Sequence, residues 1–367
     1  MKINATGLLL CTFLVGCGGT APFGEGATDA TDPTGGDTGA AIAREGLPPG
    51  TTSPTASSDI FRSEPTEASG GKLGDGFATG IQYIADDPDT AVVGDEVFIV
   101  DGLAFDGDNR YVRGTTVSSL NSGTFNVYEA VQQFPDSLND QPINQFTHRA
   151  IYGVSRNLNA AGNPRTQFAI VRTGAYIPYG FGGFIYQREG GVVLPPSGQA
   201  IYNGSSAGVR DFEGNGGLEY STANVVLAID FEDFNEATGT RGDGVRGTFR
   251  DRKVFDINGN DITSAVVTRI NDKNTASLTS IPNARFRVGP GAMDDNGDIL
   301  GEVFSNYVDD AGVVQTYEEG KYYAVLSGDD ADEVVGVIVL ENANETDNVT
   351  VRDTSGFIVY RDPAPTP

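Results

Sequence analysis

The chain has two cysteines, Cys11 and Cys17, and both fall within its first seventeen residues, MKINATGLLLCTFLVGC. The chemistry open to them is acylation. Leu14-Val15-Gly16-Cys17 has the form of a bacterial lipobox, which is cut just before its cysteine. Small residues at Gly16 and Gly18 let the peptidase and the acyl-transferring enzyme reach the backbone. The Cys17 thiol then takes a diacylglycerol through a thioether, and the freed amine usually takes a third acyl chain. Lys2 supplies the positive n-region, and Gly7 to Val15 form an apolar run. That run is far short of the ~20 residues that cross a hydrocarbon layer and is the right length for a signal-peptide core. Residues 1–16 are therefore expected to be a lipoprotein signal peptide and Cys17 the lipidated residue. Each buried acyl CH₂ contributes about 0.8 kcal/mol, so several chains make an anchor that is in effect permanent. Cys11 leaves with the signal, and the mature chain keeps no thiol for a disulfide, so an exported body must be held by its own core. Gly18 replaces the Asp that retains lipoproteins at the inner membrane of enteric bacteria, which points to the outer membrane.

Other side chains with chemical potential are sparse. GAYIPYGFGGFIYQR (174–188) concentrates Tyr176, Tyr179, Phe181, Phe184 and Tyr186 among glycines. Aromatics offer large contact area with polar handles, and glycines allow close backbone approach. The stretch is thus a candidate ligand-binding loop, or alternatively an aromatic seam packing one module on another. His148 is the sole histidine, so no multi-histidine metal site can form. It is read as a structural histidine, with single axial haem ligation as the functional alternative. The acidic turns DGDNR (106–110), DINGND (256–261) and DDNGD (294–298) suggest calcium. Counted from Asp256, however, the Gly and Glu of an EF loop fall on Asp261 and Val267, and hairpin turns explain all three. Arg241-Gly242-Asp243 is read as a coincidence of composition. There is no phosphate loop or Cys-x-x-Cys, and no basic stripe for nucleic acid. Carboxylates are abundant, but nothing singles out one pair for glycoside hydrolysis, and without Trp the usual sugar-stacking platform is missing. No enzyme activity, cofactor, metal or nucleic-acid partner is expected.

The elements that must carry these residues are strands. Against 24 Lys and Arg stand 50 Asp and Glu, a net of −26, which becomes −27 once Lys2 is lost. Such a surface repels nucleic acid and anionic lipid. Residues 17–76 are rich in Gly, Thr, Ala, Pro, Ser and Asp and nearly free of aromatics, and are expected to be a disordered tether. Beyond Phe77, short alternating apolar runs recur between turn signals, as in QFAIVRTGAY and DEVVGVIVLE. In NVVLAIDFEDF, Val225, Leu227, Ile229 and Phe231 share one face. Residues 130–145 are the one stretch read as a helical turn or long loop. A membrane-spanning barrel is disfavoured, because outward positions hold Arg246, Arg250, Arg285, Arg287, Asp230 and Glu232.

Two motifs in the C-terminal half carry a resemblance. LPPSGQAIYNGSSAG (194–208) presents Pro195, Ser197, Gly198, Ala200, Tyr202 and Gly204. EGKYYAVLSGDDADEVVGVIVLE (319–341) presents Gly320, Tyr322, Tyr323, Gly328, Ala331, Glu333 and Gly336. In these spacings residues 192–362 resemble the barrel domain of transferrin-binding-protein-B-like surface lipoproteins. The resemblance implies an eight-stranded antiparallel barrel, preceded at 77–191 by a β-rich handle-like module, with residues 363–367 as a tail and the family's second lobe absent. It implies non-catalytic binding of an extracellular protein or small solute, with an iron or haem link as one form. The rival readings are a structural or adhesive surface protein and a carboxylate hydrolase. A barrel of eight strands can be filled by its own side chains, so ligands are expected to meet loops rather than a lumen.

Overall fold

The computed structural model describes residues 46–84, 97–101, 109–113, 120, 125–130, 133–135, 139, 141–144, 148–174, 180–232, 234–235, 240–241, 244–287, 289 and 291–362. Cys17, Tyr176, Tyr179, the turn at 106–108, and Gly242 and Asp243 lie outside them.

Among the described residues the chain is all-β with one short α-helix. Its first sheet contains β1 (Ile60–Ser63), β2 (Gly80–Ile84), β3 (Val97–Asp101), β4 (Asn109–Arg113) and β5 (Phe125–Ala130). A ribbon of β6 (Gln133–Pro135) and β7 (Pro142–Asn144) interrupts it, and β8 (Arg149–Val154), β9 (Thr166–Arg172) and β10 (Gly182–Arg188) complete it. All eight strands of this handle sheet pair antiparallel in the order β1-β10-β9-β8-β5-β4-β3-β2.

A closed barrel follows, from β11 (Gln199–Glu213) and β12 (Leu218–Asp230) through a ribbon of β13 (Phe234–Asn235) and β14 (Thr240–Arg241) to β15 (Gly244–Phe255). Helix α1 (Thr263–Asn274) intervenes before β16 (Ala284–Phe286), β17 (Asp298–Val308), β18 (Val314–Ser327), β19 (Glu333–Thr346) and β20 (Val349–Arg361). Pairing of β11 with β20, from Tyr202↔Arg361 to Glu213↔Thr350, closes the barrel.

Strand alternation sorts the barrel side chains. Val225, Leu227, Ile229 and Phe231 do share the inner face, joined by Ala200, Tyr202, Ala324 and Leu326. Phe286 lies flat on Tyr322 with ring centroids 3.8 Å apart, and Phe249 meets Phe357 edge-on at 5.7 Å. The two motifs touch here: the Tyr202 hydroxyl donates to the Ala331 carbonyl at 2.6 Å, tying the first barrel strand to the β18–β19 turn. Burial raises the pKa of that phenol, which stays a donor. The other end of the interior is polar. Arg210 bonds Glu219 and Glu345, Arg252 bonds Glu318, and Arg269 of α1 reaches Glu345 at 2.7 Å and Glu219 at 3.0 Å. Val266, Val267 and Ile270 of α1 seal that end against Val254, Tyr307 and Tyr317. The lumen is thus filled by side chains along its length.

Part of the opposite face of the barrel wall is covered by the handle. Ala207, Val209, Tyr220, Val325, Val335, Val337 and Ile358 pack with Phe168, Ile170, Phe184 and Tyr186 of the handle in one apolar layer. Elsewhere the wall exposes charge, as at Arg250 and Glu302. A lipid-embedded barrel needs an outward apolar band, and this wall offers none.

Two expectations are corrected. Residues 46–76, assigned above to the disordered tether, are folded: β1 lies in the handle sheet, with Ile60, Arg62 and Glu64 buried. Ordering there comes from strand pairing and ion pairs rather than from aromatic mass. Residues 130–145 hold the β6–β7 ribbon, and the helix lies instead at 263–274, where Val266, Val267 and Ile270 follow a helical period. The β-branched content of that stretch disguises it as strand.

The β8–β9 turn grips the barrel's β18–β19 turn. Ser155 Oγ donates to Glu333 Oε2 at 2.7 Å and Asn157 Nδ2 to the same oxygen at 2.6 Å, while Arg165 pairs with Asp332 at 3.0 Å. Burial raises the pKa of Glu333, outweighing those hydrogen bonds. A carboxyl with a raised folded pKa favours the folded state most when protonated. Its cost therefore appears as pH climbs through the ordinary carboxylate range and is complete above the folded pKa. Glu333→Gln is expected to raise the thermal midpoint by a few degrees at neutral pH and to change nothing at a pH below about 4. Melting curves across pH check this; an equal shift at both ends would contradict it.

Candidate functional site

The handle sheet has two faces, and the sequence assigns them by alternation. In β8, β9 and β10, Ile151, Phe168, Ile170, Phe184 and Tyr186 turn toward the barrel. Ala150, Tyr152, Ala169, Val171 and Ile185 turn away from it. The outward face is partly roofed by the chain itself. The Phe77 N–H bonds the Gly182 carbonyl at 3.0 Å, and Ala78 is wholly buried against the outward side chains. β2 is the far edge of the sheet, separated from β8 by β5, β4 and β3, yet Ile81 packs on the same outward cluster. The sheet must therefore curl until β2 overhangs β8 and β9. A trough of about 580 Å³ lies under the overhang, lined by Ile81, Gln82, Asn126, Tyr152, Val154 and Gln167 among others. The Tyr152 hydroxyl donates to Gln167 Oε1 within it. Glu189 is the one charged residue in the lining, and it accepts from Asn159 Nδ2 at 3.4 Å.

Between the faces' other side and the barrel lies a buried ion cluster. Arg172 clamps Glu64 through two bonds of 2.6 and 2.9 Å. Arg352 of β20 bonds Asp211 at 2.8 and 3.1 Å and Asp75 at 2.7 Å. Burial and the neighbouring Arg352 lower the pKa of Arg172, but Glu64, Asp211 and Asp75 more than restore it. Arg62 reaches Asp298 at 2.6 Å, and Arg188 donates to the carbonyls of Leu326 and Asn296 at 2.7 and 2.9 Å. Burial brings Arg188 down to about 10, still charged at neutral pH. These charged groups pair with one another across the seam and fix the two modules together.

The aromatic stretch divides. Phe184 and Tyr186, read above as ligand-binding candidates, are enclosed in the seam between handle and barrel, with Phe184 stacked 6.0 Å from Tyr323. The alternation that makes them β10 residues turns them inward, so the seam reading is the one that holds for this pair. Burial pushes the Tyr323 hydroxyl up to about 12. Phe181 is half-buried and packs edge-on against Phe77 at 5.4 Å, near the roofing segment. His148 is buried at the entrance to β8. The turn carboxylates serve backbone amides: Asp256 Oδ1 accepts from the N–H groups of Asn258 and Asn260, and Asp294 Oδ1 from those of Asn296 and Asp298. Sequence reasoning missed the trough. Its amides alternate with apolar residues in runs such as TQFAIVR, and such neutral polar positions have no spacing signature.

No family profile matches this sequence, and no curated protein matches it. Among solved structures, a double mutant of transferrin-binding protein B from Haemophilus parasuis is 15% identical, with a TM-score of 0.36 over 75% of this chain and 42% of that one. An intact transferrin-binding protein B with N and C lobes is 12% identical, with a TM-score of 0.30 over 73% of this chain and 50% of that one. A surface lipoprotein is 11% identical, with a TM-score of 0.27 over 56% of this chain and 79% of that one. This chain thus spans half or less of the two transferrin-binding proteins, and its architecture rests on the strand pairing above.

Proposed function

We propose that this chain is an outer-membrane lipoprotein, anchored through Cys17, that binds an extracellular protein or small solute at its handle without catalysis. The observation that supports it best is the filled barrel: with the lumen occupied by stacked rings and ion pairs, a ligand must be met outside it, and the handle's outward trough of about 580 Å³ is an open recess of suitable size. The lipobox and the motif resemblance at 194–208 and 319–341 support the anchor and the surface setting. Cys17→Ser is expected to abolish palmitate labelling and to move the protein from the membrane fraction to the soluble one. Retained labelling would refute the anchor. Protease shaving of intact cells then tests the outward orientation. A pull-down with the full-length protein tests capture: a stoichiometric partner supports binding, and adhesion without one favours the structural reading.

A further inference from the structure

We infer that the handle trough takes a neutral, polyhydroxylated ligand, an oligosaccharide that is either free or carried on a glycoprotein. The volume of about 580 Å³ lies within the ~300–1,000 Å³ range of small-molecule sites. Gln82, Asn126 and Gln167 are primary amides, each with two N–H donors and an acceptor oxygen, and Tyr152 adds a phenol. Sugar hydroxyls donate and accept at once, so amides, which do both, are their natural complement. The bond from Tyr152 to Gln167 Oε1 orients that amide and uses part of its acceptor capacity, while its two N–H donors are not involved in it. Ile81 and Val154 supply apolar surface for the C–H faces of a sugar ring.

Charge excludes the alternatives. The lining contains no Lys, Arg or His to pair with a phosphate, sulfate or carboxylate, and a chain of net charge −26 repels anions. A metal cation would find Glu189 alone. Tyr152 forms the floor as a buried side chain, while Gln82 and Asn163 at the rim are exposed, so the site is open to a solute.

The ligand class rests on the reading of the handle as the contact module. The two fail separately: loss of every partner in the pull-down strikes the module, and loss of glycan selectivity strikes the class. The test uses full-length protein in detergent on an array of neutral oligosaccharides and their sialylated and sulfated counterparts. Calorimetry follows with the neutral oligosaccharide best retained. Retention of neutral glycans, weakened about tenfold in Gln167→Ala and Asn126→Ala, is the expected result. Exposed Gln82→Ala keeps the test valid where an inner variant fails to fold. A free oligosaccharide binding as tightly as a glycoprotein bearing it assigns the free source; tighter glycoprotein binding that is lost on enzymatic deglycosylation assigns the conjugated one. No retained neutral glycan, retention of acidic glycans only, or unchanged affinity in all three variants overturns the inference.

Discussion

Arg172→Ala is expected to destabilise the folded protein by about 3–5 kcal/mol, the usual cost of removing one member of a buried ion pair. Arg172 and Arg352 together face Glu64, Asp75 and Asp211, all almost wholly excluded from water. Two cations therefore already serve three carboxylates, and deleting one leaves three buried anions around a single guanidinium. Glu64 loses both of its guanidinium bonds, keeping the Gly76 N–H at 3.3 Å. The cluster also joins three parts of the chain: Glu64 and Asp75 follow β1, Arg172 ends β9, and Asp211 and Arg352 belong to the barrel. The loss should thus fall on the docking of handle to barrel. Urea denaturation followed by probes in each module checks it. Transitions that coincide in the native protein should separate in the variant, with the handle unfolding first. Arg172→Lys, which keeps the charge but not the two-pronged geometry, should fall between. A loss below about 1 kcal/mol would show that the cluster is not what fastens the modules.

That cluster also marks where sequence reasoning reached its limit. The inner face of β12 is legible from NVVLAIDFEDF because a period of two over seven residues leaves one solution. Tyr202 and Ala331 are legible as members of the two motifs, and their hydrogen-bonded union follows once the barrel closes. The segment 46–76 is not legible. Its order depends on partners more than 100 residues away, such as Arg172 for Glu64 and Arg352 for Asp75, and composition reports only what a segment can bury by itself. Phe184 and Tyr186 are conspicuous in the sequence for their size, but it is their alternation along β10 that turns them into the seam. The trough is invisible for a further reason: it arises from the curl of a sheet that brings β2 over β8, a property of the whole sheet rather than of any motif within it.

Phe286→Ala carries the other large expected effect, about 3–5 kcal/mol for deletion of a buried aromatic ring. The position matters more than the ring alone. β16 is three residues long and the weakest stave of the barrel, paired with β15 only at Thr248↔Arg285 and Phe249↔Ala284. So short a ladder cannot hold the wall shut by backbone bonds, and the task passes to the Phe286 ring stacked on Tyr322 and tilted against Phe249. The backbone makes room for this arrangement. A Cβ on Gly247 would stand 2.5 Å from the Phe286 ring, and one on Gly301 would stand 2.4 Å from the Tyr322 ring. Both strands lack a side chain where the stacked pair passes. Removing Phe286 leaves a void that neither glycine can fill, and the surrounding strands, held by long ladders, cannot collapse into it. Hydrogen exchange should then show accelerated opening at the β15–β16 seam, while the β18–β19–β20 wall under the handle stays protected. Uniform acceleration around the barrel would instead mean that closure is shared equally by all eight strands. Phe286→Leu, which refills most of the volume without the stack, should recover much of the stability and separate packing from ring contact.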